Sequence, residues 1–286
     1  MTIEQLLRRR DLENKKILEK LICHYQKFSR EEIFLKSEEI IFPEIIEKIE
    51  RDYRSYQKDK KPLEYILWFV EFSGLKFKVS PATLIPRPET EYMLEAVKEH
   101  LEKSWNWEKR VLLDIGTGCG VLGLSTYKRF QEIFSEAYLS DIFENALEIA
   151  KENKQYYFPE ENQKINIVKS NLCEFIVKKP EITKNKKVIL IANLPYIPEE
   201  TFENNVEENV KKREPKPAFV WWDDGLDYYR QMFDQILSLE EKPESLDCFL
   251  EMMTRQREIL QKEYPQFHYS LQKTFHFNII ILSASL

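Results

Sequence analysis

The chain has 286 residues, of which 43% are hydrophobic and 32% charged, and a net charge of -6. That length allows one large domain, or a medium domain plus a small one, with ample apolar content for a core. The mild acidic excess disfavours a non-specific nucleic-acid binder, and the well-mixed charge with 13% aromatic residues argues against disorder.

No uninterrupted apolar run approaches the roughly 20 residues of a membrane span, and the N-terminus Met1-Thr-Ile-Glu-Gln5 has no apolar leader region. A cytoplasmic location is expected, with a small molecule or another protein as partner and no membrane. Cys23, Cys119, Cys173 and Cys248 form no Cys-x-x-Cys pair, and His24, His100, His268 and His276 offer no ligand spacing. No metal site is expected, and four unpaired cysteines suit a reducing compartment.

Residues 1 to 60 read as a small helical domain. Leu6, Leu7, Ile17, Leu18, Leu21, Ile22 and Tyr25 recur at helical spacing, Ser29 with Glu32 suits a capping box, and Ile45, Ile46 and Ile49 continue the periodicity. Lys61-Pro62 breaks it. Residues 61 to 90 read as a hairpin and connector: Phe72 to Val79 has Gly74 in a turn and Leu75, Phe77 and Val79 alternating on one face. Pro86 and Pro88 then hold Arg87 extended, and a helix through Met93, Leu94 and Val97 follows.

From residue 91 onward the chain alternates helix and strand, which implies a parallel sheet covered on both faces. Val111-Leu-Leu-Asp114-Ile is a buried strand that runs into Gly116-Thr117-Gly118-Cys119-Gly120 and the first turn of a helix at Gly123. The chain has only six glycines, and four of them fall here, so the backbone must turn tightly or let a ligand approach. Further strands are expected at Ala137 to Asp141, Ile165 to Val168, Val188 to Ala192 and Cys248 to Glu251, with His268 to Leu271 and Phe277 to Leu282 as a closing pair. Helices are expected at Asn145 to Asn153, Tyr228 to Leu237 and Gln256 to Glu263, and Pro198 to Pro217, polar and bounded by prolines, reads as a long loop or lid. Sheets of this kind bind ligands at the carboxyl ends of their strands.

The glycine loop formally fits Gly-x-Gly-x-x-Gly, with Asp141 about 20 residues on, where a ribose-binding acid belongs. That pattern alone is shared by dinucleotide enzymes. Asp114, two residues before the first glycine, would repel a pyrophosphate and suit a ligand carrying an ammonium group, as S-adenosylmethionine does; that cofactor is preferred to NAD. Cys119 reads as a small residue in a tight turn, since no histidine is near it in sequence. Asn193-Leu194-Pro195-Tyr196 follows the fourth strand. A planar amide or exocyclic amine is a poor nucleophile, and the Asn193 side-chain oxygen and Leu194 carbonyl can accept its hydrogens while Pro195 keeps the turn rigid and Tyr196 packs on the planar group. Catalysis would then be mainly positioning.

With those residues in place the sequence resembles the protein-(glutamine-N5) methyltransferases that act on peptide chain release factors. The resemblance runs through Pro62-Leu-Glu-Tyr65, Phe72-x-Gly74-Leu, Leu84 to Glu91, Asp114 to Gly120, Asp141, Asn193 to Tyr196, Glu214-Pro215, Pro217-Ala218, Asp224-Gly225-Leu226 and Tyr229-Arg230. The proline-arginine-proline segment is the most specific of these. The resemblance implies a Rossmann-like, seven-stranded class I methyltransferase sheet behind a small helical domain that helps grip the release factor. It further implies S-adenosylmethionine as cofactor, Leu172 near the adenine, and the glutamine of a Gly-Gly-Gln loop as acceptor. No direct nucleic-acid partner is implied. The chain departs from the family at Leu194, where proline is usual, and at Trp68, Cys119, Asn171, Trp221-Trp222, Met252-Met253 and the end from Phe275. Two other readings stay open: an adenine-N6 methyltransferase acting on RNA or DNA, which the same tetrapeptide would serve, and a non-catalytic cofactor-binding protein.

Overall fold

The structure, a computed structural model, describes residues 1–103, 108–160, 164–221, 224–274 and 279–285. Trp222 of the tryptophan pair and Phe277 of the expected closing pair lie outside the described residues. The chain divides into two compact units, Met1–Phe69 and Val70–Leu286.

The first unit is helical, with helices Ile3–Leu7, Lys15–Gln26, Arg30–Leu35, Pro43–Gln57 and Leu63–Leu67. Its starts are written in the sequence. Ser29 and Glu32 form a reciprocal capping box, Asn14 accepts from the Ile17 amide, and Pro43 stands in the first turn of its helix. Ile3, Leu6, Leu18, Leu21, Ile22, Ile33 and Ile49 are buried in one core, which also takes Leu63, Ile66 and Leu67. That last helix follows the Lys61-Pro62 break and is absent from the sequence reading. Five residues are too few to display a period, and burial against the core supplies the stability that local propensity lacks.

The second unit opens in a hairpin, Phe69–Phe72 paired with Leu75–Lys78, whose first strand contains the boundary. Its main sheet has seven strands: β1 (Arg110–Ile115), β2 (Phe134–Asp141), β3 (Ile165–Lys169), β4 (Lys187–Ala192), β5 (Ser245–Met253), β6 (His268–Thr274) and β7 (Ile279–Ser285). Their order is β6-β7-β5-β4-β1-β2-β3. Strands β1 to β5 run parallel, and β7 lies antiparallel to both β5 and β6. All six residues of β1 are buried, as a central parallel strand covered on both faces requires. The chain leaves β1 for β2 on one side and reaches β4 on the other, so a crevice opens at the carboxyl ends of β1 and β4.

Pro198 to Pro217 is not a long loop. It holds helices Glu199–Asn205 and Glu208–Arg213 and a 3-10 turn at Lys216–Ala218. Acids in each first turn, with Lys211, Lys212 and Arg213 in the second helix's last turn, favour the helix dipole, and Phe202 packs on Phe219. Helices of six and seven residues leave almost no periodic trace in sequence. Among the described residues no helix is long and apolar enough to cross a membrane.

Candidate active site

Four turns at the carboxyl ends of β1 to β4 surround a pocket of about 320 Å³. Leaving β1, the chain turns with Gly116, Gly118 and Gly120 at φ of 71°, 56° and 84°, the left-handed region that strains other residues. Asp114 braces this turn from below: it is 1% exposed, and its Oδ2 accepts from the Thr117 hydroxyl and from the Gly123 amide at 2.8 Å. Asn153 braces it from the side, donating to the Cys119 carbonyl at 2.8 Å and to the Lys78 carbonyl at 2.9 Å. Cys119 is itself buried, which pushes its thiol up to about 12 and leaves no thiolate for nucleophilic work.

At the end of β2, Asp141 holds its carboxylate at the pocket wall, with Oδ2 accepting from the Gly118 amide and Oδ1 from the Phe143 amide, both at 2.9 Å. Burial raises its pKa, and those two amides offset only part of the rise. Ile142 and Phe143, each 50% exposed, add apolar surface to the wall beside it. After β3 comes Leu172, buried and at a φ of 52°, a strained conformation for a branched side chain and of the kind that clusters at ligand sites.

After β4 come Asn193 to Tyr196, held on every side. The Asn193 Nδ2 donates to the Thr90 hydroxyl at 3.1 Å, and the Leu194 amide donates to the Tyr229 hydroxyl at 3.3 Å. The Tyr196 hydroxyl donates to Glu251 Oε1 at 3.0 Å, and the Tyr196 carbonyl accepts from Gln256 Nε2 at 2.7 Å. The proline-arginine-proline segment closes the far wall and is pinned by Glu214, 6% exposed, which accepts from the Ile85 amide at 3.1 Å and the Arg87 guanidinium at 2.8 Å.

Of the residues expected from sequence, Gly116, Thr117, Gly118, Cys119, Asp141, Leu172, Asn193, Leu194 and Pro195 all line this pocket. Asp114, Gly120 and Tyr196 stand behind the lining, where their contacts hold it in shape. A larger hollow of about 790 Å³ beside edge strand β3 contains Lys151, Lys154, Lys169 and Lys178, but none of residues 116–120 or 193–196.

Residues 90–196 match the family of the methyltransferase small domain. The N-terminal domain of human METTL16 in complex with SAH superposes with a TM-score of 0.51 at 12% identity, covering 97% of this chain and 96% of that one, and so shares the fold. Release factor glutamine methyltransferase of Clostridium acetobutylicum is 38% identical over 181 residues, 63% of this chain and 59% of that protein. The enzyme of the same name from Bacillus cereus is 30% identical over 255 residues, 87% of this chain and 84% of that protein. The chain belongs to the release factor glutamine methyltransferases.

Family membership makes the sheet that of a class I methyltransferase. The sequence assigns no pocket role to Thr90, Asn153, Tyr229, Glu251 or Gln256, all of which shape it. Thr90 and Tyr229 fall within motifs that carry the family resemblance, and Glu251 stands out as an acid inside the apolar run Cys-Phe-Leu-Glu-Met-Met at the end of β5; Asn153 and Gln256 carry no such signal.

Asp114 sets a pH dependence of stability. Burial raises its pKa from 3.8 to about 7. Between roughly pH 4 and 7 the folded chain keeps a proton that the unfolded chain has released, so this group makes stability fall as pH rises through that window. Asn at 114 has no such proton. Urea unfolding of the cofactor-free chain at pH 5 and pH 8 is expected to show a smaller loss of stability across that interval for Asp114→Asn than for wild type. Equal losses in the two proteins would show that Asp114 does not titrate there.

Proposed function

We propose that this chain transfers a methyl group from S-adenosylmethionine to the side-chain amide nitrogen of the glutamine in the Gly-Gly-Gln loop of peptide chain release factors. The observation that carries the reading is the Asn193 to Tyr196 turn: an asparagine amide whose nitrogen is already committed to Thr90, at the rim of a pocket of cofactor size, in a member of this family. The pocket also suits the cofactor chemically. It offers a carboxylate with both oxygens anchored, a glycine turn and an apolar wall, the features that a ribose diol, an amino-acid tail and a purine ring call for.

When bound, S-adenosylmethionine supplies an electrophilic methyl carried on a sulfonium. Asp141 is placed to accept from the ribose hydroxyls, and the Gly116 to Gly120 turn, braced by Asp114, to receive the methionine part. Ile142, Phe143 and Leu172 offer the adenine an apolar surround. Asn193 Oδ1 and the Leu194 carbonyl accept the two hydrogens of the acceptor amide and turn its nitrogen lone pair toward the methyl. Pro195 stiffens the turn, and Tyr196, anchored through its hydroxyl, backs the planar amide. Held by these residues, the cofactor would supply the methyl to that nitrogen and be left as the neutral thioether, and the amide nitrogen would give up one proton to water. A strong base is unnecessary, because positioning supplies most of the rate.

The helical residues 1 to 60 are proposed to help grip the release factor, supported by the exposed Phe34, Leu35, Ile40 and Phe42. Leu35→Ser with Phe42→Ser is expected to raise KM for the intact factor about tenfold, since two apolar side chains leave an interface. Methylation of a short Gly-Gly-Gln peptide should not change; equal effects on peptide and intact factor would remove the helical unit from recognition. A release-factor substrate also places the activity in the cytoplasm, which cell fractionation checks.

Transfer of labelled methyl to a purified release factor, to its Gln→Ala variant in the Gly-Gly-Gln loop and to a structured RNA tests the whole reading. Label on the intact factor alone is expected. Label on the RNA would overturn the acceptor and favour the adenine alternative.

A further inference from the structure

The side chain of asparagine is nearly symmetric in shape and opposite in polarity at its two ends. To accept hydrogens from a substrate amide, Asn193 must present Oδ1 to the pocket; the flipped rotamer would set one NH2 against another. Thr90, the partner of Nδ2, does not settle the choice alone, because a hydroxyl can donate or accept. The group that breaks the tie must lie behind Thr90 and be able only to accept.

Glu251 is such a group. It is 3% exposed, at the end of β5 beside β4, and is bound to the Asn193 turn through both backbone and side chain. Its carbonyl accepts the Tyr229 hydroxyl at 2.5 Å, and that hydroxyl in turn accepts from the Leu194 amide. Its Oε1 accepts the Tyr196 hydroxyl at 3.0 Å. Oε2 is buried and makes no further bond of full geometry, so it can still take a hydrogen. Burial raises the pKa of this carboxyl, and the hydrogens of the Thr90 hydroxyl, the Tyr196 phenol and the Asn193 amide oppose that rise and favour its ionised form. No catalytic step described above uses this carboxylate.

We propose that Glu251 is a positioning residue that sets the polarity of Asn193: as a pure acceptor it draws the Thr90 hydroxyl hydrogen, which leaves Thr90 Oγ1 to accept from Asn193 Nδ2 and turns Asn193 Oδ1 into the pocket. The proposal rests on the reading of Asn193 as acceptor of the substrate's amide hydrogens. It gives a buried carboxylate a task beyond packing, and it accounts for a threonine hydroxyl at the Asn193 amide nitrogen.

Glu251→Gln keeps the shape and adds a donor, so the relay can run backwards. The expected result is a fall in kcat on the release factor of about 30-fold, the effect of one misdirected buried hydrogen bond, with the S-adenosylmethionine Kd within threefold of wild type and the unfolding midpoint little changed. Thr90→Ser should keep near-normal kcat. Thr90→Val should fall like Glu251→Gln, and the double variant should fall no further, because both break one chain. A second readout needs no substrate. The Asn193 side-chain amide hydrogens, assigned by their loss in Asn193→Asp, should exchange slowly with solvent in wild type and Thr90→Ser, and fast in Glu251→Gln. Unchanged exchange and kcat in Glu251→Gln would overturn the relay, as would a parallel fall of kcat, cofactor affinity and stability, which marks a merely structural carboxylate. Failure of the wild type to label the release factor counts against the proposed function, while the exchange measurement still judges the relay.

Discussion

Asn193→Ala is expected to lower kcat on the release factor about 100- to 1,000-fold while the Kd for S-adenosylmethionine stays within threefold. The loss follows the scale seen when one preorganised polar group is removed from an enzyme that works by positioning. An amide nitrogen donates its lone pair to its own carbonyl, and only fixed acceptors on its two hydrogens hold that lone pair on the line of attack. In the proposed function Asn193 supplies one of them and Leu194 the other, through a backbone carbonyl that no side-chain replacement removes. Substrate affinity should fall less than kcat, because the hydrogen bond matters most when the nitrogen takes on positive charge. Asp141→Ala serves as the contrast. With a carboxylate deleted from the wall proposed to face the ribose, it should weaken cofactor binding about 10- to 100-fold and leave kcat at saturating cofactor close to wild type. Steady-state kinetics with a direct binding measurement checks both, and the opposite pattern in the pair would reverse the two roles.

The second large effect is expected at a residue that touches no ligand. Gly225 has a φ of 75°, and a β-carbon built there would lie 2.2 Å from the carbonyl oxygen of Tyr196 and 2.9 Å from Gln256 Nε2. Gln256 is fully buried and donates to both the Tyr196 and the Asp224 carbonyls at 2.7 Å, so Gly225 is packed under the clamp on the Asn193 to Tyr196 turn. Alanine brings backbone strain of about 1 to 3 kcal/mol and a steric conflict of similar size, with a rigid backbone as the opposing surface. Gly225→Ala is therefore expected to cost about 3 kcal/mol in urea unfolding, or to relieve the clash by shifting Tyr196 and lose at least 100-fold in kcat. A variant with both stability and kcat near wild type would show that the turn moves freely at Tyr196.

Much of this site is legible without coordinates because it is local. Four glycines between Gly116 and Gly123 of a glycine-poor chain, an acid at the end of the next strand, and Asn-Leu-Pro-Tyr after the fourth strand are each contiguous signals, and alternating strands and helices bring their carboxyl ends together. Asp114 is also visible in sequence, but the direction of its carboxylate is not. The expectation of a direct contact with a ligand ammonium meets a side chain turned under the loop, because two donors of the same turn, Thr117 and Gly123, reach it first. The helices within Pro198 to Pro217 were hidden for a different reason: they depend on Phe202 meeting Phe219, seventeen positions away, and not on periodicity.

What the sequence alone determined is the parallel sheet, the glycine turn and the identity of the groups that face the pocket, since hydropathy period, glycine placement and short motifs act over a few residues. The support of those groups was decided only by the tertiary structure. Thr90 reaches Asn193 across 103 positions, Glu214 reaches the proline-arginine-proline segment across 127 to 129, and Glu251, Tyr229 and Gln256 close on the Asn193 turn from strands and helices far along the chain. A buried polar group needs a partner, and which partner it finds is fixed by how the sheet stacks its strands, not by neighbours in sequence.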